Sequence, residues 1–222
     1  NQYAIDLDGS NQFINCENDS SIKPTAAITI AAWIYPDNWD VSAATHIVSA
    51  VHVGGWNIQQ AASDRLYAQI KSGDSYRNLQ TAALTSYSGW HHVMITFDGQ
   101  YARMYLDGEA PTGSGVIASV DIGSSGNAIQ YGTGDNNVDV LIGADPGALT
   151  SGTAGTSPFP GLIDEVAIWD AALSEAAALE IGTKAIDLTI DWGNYTNSGD
   201  LQGYWRMEEG TGSTVADSST NS

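Results

Sequence analysis

One carboxylate in the sequence interrupts a segment that otherwise suits a buried strand. Residues 161–169 are apolar on both faces of such a strand, and strict alternation places Asp164 in one row with Val166 and Ile168. A carboxylate in an apolar row needs a cation or hydrogen-bond donors, because burying an unpaired charge is costly. Since the chain has only seven Lys and Arg, we predict that Asp164 binds either a calcium ion or the backbone N–H groups of a neighbouring turn.

A tight turn near the start of the chain offers further oxygen ligands. Asp8, Gly9 and Asn11 would supply a carboxylate, an outward-facing carbonyl and an amide oxygen, and calcium is bound by oxygen atoms. The same residues also fit an ordinary hairpin turn between two strands. The calcium hypothesis takes this turn and Asp164 as parts of one structural Ca²⁺ site.

Aromatic side chains are more numerous than a core of this size needs, with seven Trp and ten Tyr. Their ring faces can stack on sugars, or they can simply pack in the core. The Trp residues within predicted strands, assigned to the core, are Trp33, Trp90, Trp169 and Trp205. The residues nearer predicted loops, assigned as ligand-binding candidates, are Trp39, Trp56, Tyr76, Tyr131, Asp135, Asn136 and Asn137.

Catalytic patterns are missing from the sequence. The Glu-x-Asp-x-x-Glu motif, whose acids line one cleft in some glucanases, does not occur, and neither does a Gly-x-Ser-x-Gly nucleophile elbow. His91 and His92 are adjacent on a predicted strand and point to opposite faces, so they cannot bind one metal ion together. The sequence therefore favours a protein that binds over one that catalyses.

The charge balance excludes several classes of partner. Twenty-six Asp and Glu against seven Lys and Arg give a net charge of −19, so nucleic acids and anionic membrane surfaces are not expected to bind. No apolar run reaches the length of about 18 residues that suggests a transmembrane helix. The first residues lack a secretory pattern, and we expect that a leader was removed or that the chain is part of a longer polypeptide.

Short β-branched and aromatic runs separated by Gly, Asp, Asn and Ser predict about eleven strands. That number favours an all-β, two-sheet antiparallel sandwich over a small barrel. One short surface helix is predicted, capped by Ser174 and ended by Gly182. Residues 110–134 and 145–158 form long Gly-rich and Ser-rich loops at the rim, where binding loops often lie.

Several motifs occur in a characteristic order. They are AIDLDGS (4–10), ITIAAWIYP (28–36), WHHV (90–93), FDG (97–99), MYLDG (104–108), LIG (141–143), GLIDEVAIW (161–169) and ALS (172–174). Together they resemble the laminin-G-like, concanavalin A-like jelly roll of the lectin/glucanase superfamily, in its bacterial and viral branch. The resemblance implies a jelly roll over residues 1–182 and a structural calcium at Asp164. It does not imply one activity, because the fold serves lectins, adhesins, receptor-binding modules and glycosidases.

Residues 183–222 are predicted to be a C-terminal extension. Trp205 and Met207 would anchor it on the jelly-roll domain, and residues 210–222 would form a linker or the lead-in to a further module.

Three functions fit these observations. The first is a non-catalytic glycan-binding or attachment module on a virion or cell surface, with a glycan or cell-surface polysaccharide as its partner. The second is a structural or decoration subunit of a phage particle or fibre, which would contact other virion or adhesin chains. The third is a glycoside hydrolase or lyase with unrecognised acids. We expect an extracellular or virion-surface location.

Overall fold

The computed structural model describes residues 3–134, 137–147 and 156–220, which form thirteen β-strands and one α-helix. In chain order the elements are β1 (Ile5–Asp8), β2 (Ile14–Asn15), β3 (Ile28–Pro36), β4 (Thr45–Ser49), β5 (Trp56–Ala61), β6 (Arg65–Ser72), β7 (Ser75–Gln80), β8 (His91–Phe97), β9 (Tyr101–Leu106), β10 (Ser119–Asp121), β11 (Leu141–Ile142), β12 (Pro160–Trp169), α1 (Glu175–Thr183) and β13 (Leu201–Trp205). The predicted all-β class with one short helix is confirmed.

The strands form two antiparallel sheets. The seven-stranded sheet has the order β1-β12-β3-β8-β9-β10, with β13 also paired to β12, and the six-stranded sheet has the order β2-β11-β4-β5-β6-β7. β1 and β13 share one side of β12, where Ile5 pairs with Ile163 and Trp205 with Val166. Trp205 and Met207 lie in the core. Residues 201–207 are therefore built into the sandwich.

The core lies between the two sheets and follows from the alternation of their strands. Ile30 and Ile34 of β3 point inwards and meet inward residues of the other sheet, such as Ile58 and Ile70. These β-branched side chains suit the pleated surface of a strand and are fully buried. No helix in the described residues is long and apolar enough to cross a bilayer.

The helix covers the outer face of the seven-stranded sheet. Ser174 Oγ accepts a hydrogen bond from Ala177 N at 3.2 Å, which confirms the predicted N-cap. Ala177 and Ala178 are fully buried, in a second apolar cluster with Trp169 and other residues. Only one face of the predicted surface helix is therefore in contact with solvent. The helix and its apolar cluster therefore cover part of the outer face of the seven-stranded sheet.

Candidate functional site

The outer face of the six-stranded sheet carries a connected set of amide and tyrosine side chains. Ile58, Ala68 and Leu79 point into the core, so the residues between them on β5, β6 and β7 point outwards. Strand register aligns the outward residues in three rows. The rows are Ser49, Asn57, Gln69 and Asn78; His46, Gln59, Tyr67 and Gln80; and Lys71 and Tyr76. We call these residues the amide–tyrosine face.

Gln69 is the centre of a hydrogen-bond network on this face. Its Nε2 donates to Asn78 Oδ1 at 3.1 Å, and its backbone N–H donates to Asn57 Oδ1 at 3.1 Å. Asn57 Nδ2 in turn donates to Gln59 Oε1 at 3.0 Å. Asn57 is buried, Gln59 and Gln69 are half-buried and Asn78 is exposed. The amide groups are therefore held in fixed orientations, with several of their edges in contact with solvent.

The four central strands of this sheet differ in charge from the rest of the chain. Strands β4 to β7 contain no Asp or Glu, although the chain has 26, and they contain three of its seven Lys and Arg. Of these cations, Lys71 lies on the outer face, with its Nζ 5.1 Å from the centre of the Tyr76 ring. The amide–tyrosine face is therefore a neutral to slightly basic surface on an acidic protein.

One border of the face is formed by His46 and Asp145. His46 Nε2 lies 3.6 Å from Asp145 Oδ2. Burial lowers the pKa of His46, and the nearby Asp145 carboxylate offsets only part of that effect. The pKa of Tyr76 is raised, first by burial and then by Asp145. His46 is therefore neutral and Tyr76 protonated at neutral pH, so both act as hydrogen-bonding groups.

These residue types suit a ligand that is rich in hydroxyl groups. A primary amide donates and accepts hydrogen bonds, as a sugar hydroxyl does. A tyrosine adds an apolar ring face and a polar hydroxyl, and the rings of Tyr67 and Tyr76 are half-buried on the face. The face can therefore match both the hydroxyls and the apolar patches of a saccharide. Sequence reasoning named only Tyr76 among these residues.

Two of the aromatic residues predicted from the sequence to bind ligand are part of the core or pack against it. Trp56 is fully buried, and its Nε1 donates to the Tyr131 hydroxyl at 3.0 Å. Tyr131 then donates to the Pro24 carbonyl at 3.0 Å. Burial strongly raises the pKa of Tyr131. Because its ring is enclosed, Trp56 cannot stack on a ligand, and the prediction for it is wrong.

The remaining ligand candidates are dispersed. Trp39 is 7% exposed and packs against the core. Asn137 Oδ1 accepts a hydrogen bond from Lys23 Nζ at 2.5 Å. Asp135 and Asn136 lie outside the described residues. The structure therefore does not bring Asn137 together with Tyr76 on the amide–tyrosine face.

The tryptophans assigned to the core divide into two pairs. Trp169 and Trp205 are buried, as predicted, whereas Trp90 is 39% exposed and Trp33 is half-buried on the outer side of the seven-stranded sheet. The prediction for Trp90 is wrong, because this residue directly precedes β8 and its ring contacts Tyr35 edge-on at 5.9 Å instead of entering the core.

Asp164 lies directly before a β-bulge, which reverses the direction of the residues that follow it. The pairing of β12 with β3 shifts between Asp164 and Ala167, and Glu165 has a φ of +50°. Ile163 and Val166 both point into the core, so Asp164 does not share a row with Val166 as strict alternation predicted. Asp164 lies on the outer side, as its alternation with the inward Ile163 requires, and it is Val166 that the bulge turns inwards. Asp164 Oδ1 accepts the Glu165 N–H at 2.9 Å.

The predicted calcium ligands do not come together. Asp8 pairs with Pro160, which is four residues, or about 13 Å, along β12 from Asp164. Asp8 Oδ1 accepts the Ser10 N–H at 2.9 Å, and Gly9 has a φ of +68°, so these residues form a turn. Asn11 follows in the same turn. Among the described residues no group of three or more His, Cys, Asp or Glu is placed to hold a metal ion. Asp164 and the turn therefore do not fit one shared calcium site.

Comparison with known proteins assigns the family. A laminin G-type family model, described as the concanavalin A-like lectin/glucanases superfamily, matches residues 8–178. The chain belongs to this superfamily. No curated protein sequence matches it. The resemblance inferred from the sequence motifs is thereby confirmed for most of the chain.

Solved structures show the same fold at low sequence identity. A Bacteroides ovatus protein, named as a carbohydrate-binding candidate, is 18% identical with a TM-score of 0.58, and the match covers 98% of this chain but 54% of that protein. The CBM40 of a Ruminococcus gnavus IT-sialidase, bound to α2,6-sialyllactose, is 13% identical with a TM-score of 0.61, and the match covers 82% of this chain and 97% of that domain. A leech intramolecular trans-sialidase in complex with 2,7-anhydro-Neu5Ac is 12% identical with a TM-score of 0.59, and the match covers 84% of this chain and 28% of that protein. This chain thus spans about half of the first protein and nearly all of the CBM40.

Proposed function

We propose that the protein is a non-catalytic glycan-binding module that binds its ligand on the amide–tyrosine face. The observation that carries this proposal is the row of hydrogen-bonded amides centred on Gln69, beside two tyrosines, on strands without any carboxylate. We also propose that the module acts in attachment at a cell or virion surface.

The chemistry of the face supports a saccharide over other ligands. The amide groups are fixed on rigid strands, so little side-chain freedom is lost when a ligand binds. The solvent-accessible amides and tyrosines of the face extend across β5, β6 and β7, which suits an extended polysaccharide or oligosaccharide better than a small apolar molecule. Carbohydrate-binding structures of the same fold, including the CBM40 described above, support the same conclusion.

Binding to a glycan array, in calcium and again in chelator, tests the proposal. We expect the wild-type protein to bind a defined class of glycan and Gln69→Ala to weaken binding about tenfold or more, which corresponds to about 1.4 kcal/mol. Gln202→Ala is the matched control, because Gln202 is a half-buried amide on β13 of the other sheet. A folded protein that binds no glycan, or equal losses in both variants, would contradict the proposal.

A structural subunit is the second candidate, and one surface feature favours it. Ile190 and Trp192 are 57% and 56% exposed on the segment between α1 and β13. Exposed apolar side chains such as these would be buried in a contact between chains. A blank glycan array together with a defined oligomer that Trp192→Ser disrupts would replace the glycan proposal with this one.

A further inference from the structure

A cleft of about 270 Å³ lies at the end of the sandwich where β3 ends and β8 begins. Three segments form its walls: the end of β3 with the loop after it, the turn between β5 and β6, and the loop that precedes β8. We call it the aromatic cleft. The side chains that define its chemistry are Tyr35, Trp39, Tyr87, Asp37, Asp40 and Asp64.

Hydrogen bonds between the three segments hold the cleft in shape. Gln60 Nε2 on β5 donates to the Asn38 carbonyl at 2.8 Å. The Leu84 N–H donates to the Asp64 carbonyl at 2.7 Å, and the Tyr87 N–H donates to the Leu84 carbonyl at 2.8 Å. The walls are thus connected to one another and to the sheet, so the cleft is formed before any ligand binds.

The aromatic walls present ring surface to solvent. Tyr35 and Tyr87 are 39% and 40% exposed. The His91 ring contacts Tyr87 at 5.1 Å and the buried Trp39 at 6.0 Å between ring centres, and Tyr35 contacts Trp90 at 5.9 Å. His91 Nδ1 is fixed by Asp107 Oδ2 at 2.9 Å, so Tyr87, the exposed ring that contacts His91, rests on an ordered support. Exposed rings that are held in place in this way are suited to ligand contact.

The charged residues of the cleft are all acidic. Asp37, Asp40 and Asp64 line it, and no Lys or Arg does. Asp64 Oδ1 is sealed from solvent, and no hydrogen-bond partner for it exists among the described residues. Asp64 has a φ of +61°, and its carbonyl is bonded to Leu84, so its position is fixed. Because Asp64 Oδ1 is sealed, only other atoms of Asp64 can face a ligand. The three carboxylates still make the cleft negative, with no Lys or Arg in its lining, which favours a positively charged ligand.

We propose that the aromatic cleft binds a compact organic ammonium group. Ring faces attract a cation through their electron-rich surface, and the carboxylates supply the opposite charge. A metal ion would use only the oxygens and leave the rings without a role, whereas an alkylammonium group contacts both. The site is separate from the amide–tyrosine face and does not depend on the function proposed for that face.

Titration with choline and with its neutral isostere 3,3-dimethylbutan-1-ol tests the proposal. The two probes have nearly the same shape, so we expect choline to bind saturably and the neutral alcohol to bind about tenfold more weakly or not at all. Tryptophan fluorescence and calorimetry at constant ionic strength would measure both. Glucosamine, compared with N-acetylglucosamine, shows whether a protonated amine binds as the quaternary ammonium does. Equal binding of choline and the alcohol, or no saturable binding of choline or glucosamine, overturns the proposal.

Variants locate the binding in the cleft. We expect Asp64→Asn, which keeps the shape and tolerates the left-handed backbone, to weaken ammonium binding about tenfold. Asp74→Asn is the matched control, since Asp74 is exposed in the turn between β6 and β7 and should change the affinity less than about twofold. If Asp64→Asn fails to fold, Tyr87→Leu removes a ring face at the surface and should give a similar loss. Equal affinities in the wild-type protein and the folded cleft variant would disprove the assignment.

Discussion

The amide–tyrosine face and the aromatic cleft differ in charge. Strands β4 to β7, which build the face, have no carboxylate and carry Lys71 on their outer side, whereas the cleft is lined by three carboxylates and no Lys or Arg. Both lie on a chain with a net charge of −19. Net charge therefore describes the solubility of this protein but not the chemistry of either site.

The difference has a structural origin. The face consists of strand residues, whose neighbours are fixed by sheet register, so it offers an ordered and flat array of amides. The cleft consists of loop and turn residues that converge from three segments. A flat neutral array suits a hydroxyl-rich chain, and a concave acidic site with aromatic walls suits a compact cation. The two sites should therefore respond independently to substitution.

The largest effect should come from the tryptophan beneath the face. Trp56→Ala removes a fully buried ring and the hydrogen bond to Tyr131, so we expect a loss of about 3–5 kcal/mol in the free energy of unfolding. Tyr76→Ala, on the face itself, should cost much less stability and should weaken glycan binding. Denaturant unfolding and glycan binding would be measured on both variants. A stable Trp56→Ala protein that had lost glycan binding would extend the face to Trp56.

Acid should destabilise the protein through His92 on β8, which is buried on the outer side of the seven-stranded sheet beside Trp33. Burial lowers the pKa of His92 to about 4, and Asp107 offsets this only in part. In the unfolded chain the pKa is about 6.5, so below that pH the unfolded state binds the proton first and stability falls as the pH decreases. We expect a loss of roughly 3 kcal/mol by pH 4 from this group. Denaturant unfolding at several pH values should show a flatter pH dependence in His92→Phe; an unchanged slope would assign the acid sensitivity to other groups.

A charge exchange between the two sites tests their independence most directly. Gln69→Glu places a carboxylate at the centre of the neutral face, and we expect it to weaken glycan binding about tenfold while choline binding stays the same. Asp40→Asn should have the reverse pattern. Titration of each variant with both ligands would measure the four affinities. If either substitution lowered the affinities for glycan and choline equally, the two regions would be one site.

The smallest expected effect is that of calcium on the melting temperature. Because Asp8 and Asp164 lie about 13 Å apart along the sheet, they cannot bind one ion. If millimolar calcium raises the melting temperature, we therefore expect at most one of Asp8→Ala and Asp164→Ala to remove the increase. Thermal melts of both variants in calcium and in chelator would measure this. Loss of the increase in both would restore the shared site.

Much of the fold was predictable because it rests on local patterns. Turn residues between short β-branched runs predicted the sandwich, and the Ser174 cap predicted the start of α1. The loss of a common row for Asp164, Val166 and Ile168 was not predictable, because the bulge at Glu165 turns Val166 and Ile168 inwards and leaves no mark in the residue types. Alternation is a rule for regular strands, and one left-handed residue reverses everything after it.

The candidate site was only partly predictable. Its signal was present, since amides alternate with apolar residues in β5, β6 and β7, but amides are common on exposed strand faces and do not by themselves indicate a binding site. The position of Trp56 at the start of β5 suggested a loop and exposure, whereas its burial depends on packing between the sheets. The cleft could not be inferred because its three segments are distant in sequence and meet only through hydrogen bonds such as that between Leu84 and Asp64.

The pairing of β1 and β13 with the same side of β12 has a practical consequence for handling the protein. Both strands belong to the seven-stranded sheet, whereas the amide–tyrosine face is the outer surface of the opposite sheet. A tag or carrier fused at either end of the domain is therefore attached to the sheet that does not carry the face. Immobilised in this way on a sensor chip or a bead, the domain presents its amide row to the surrounding solution.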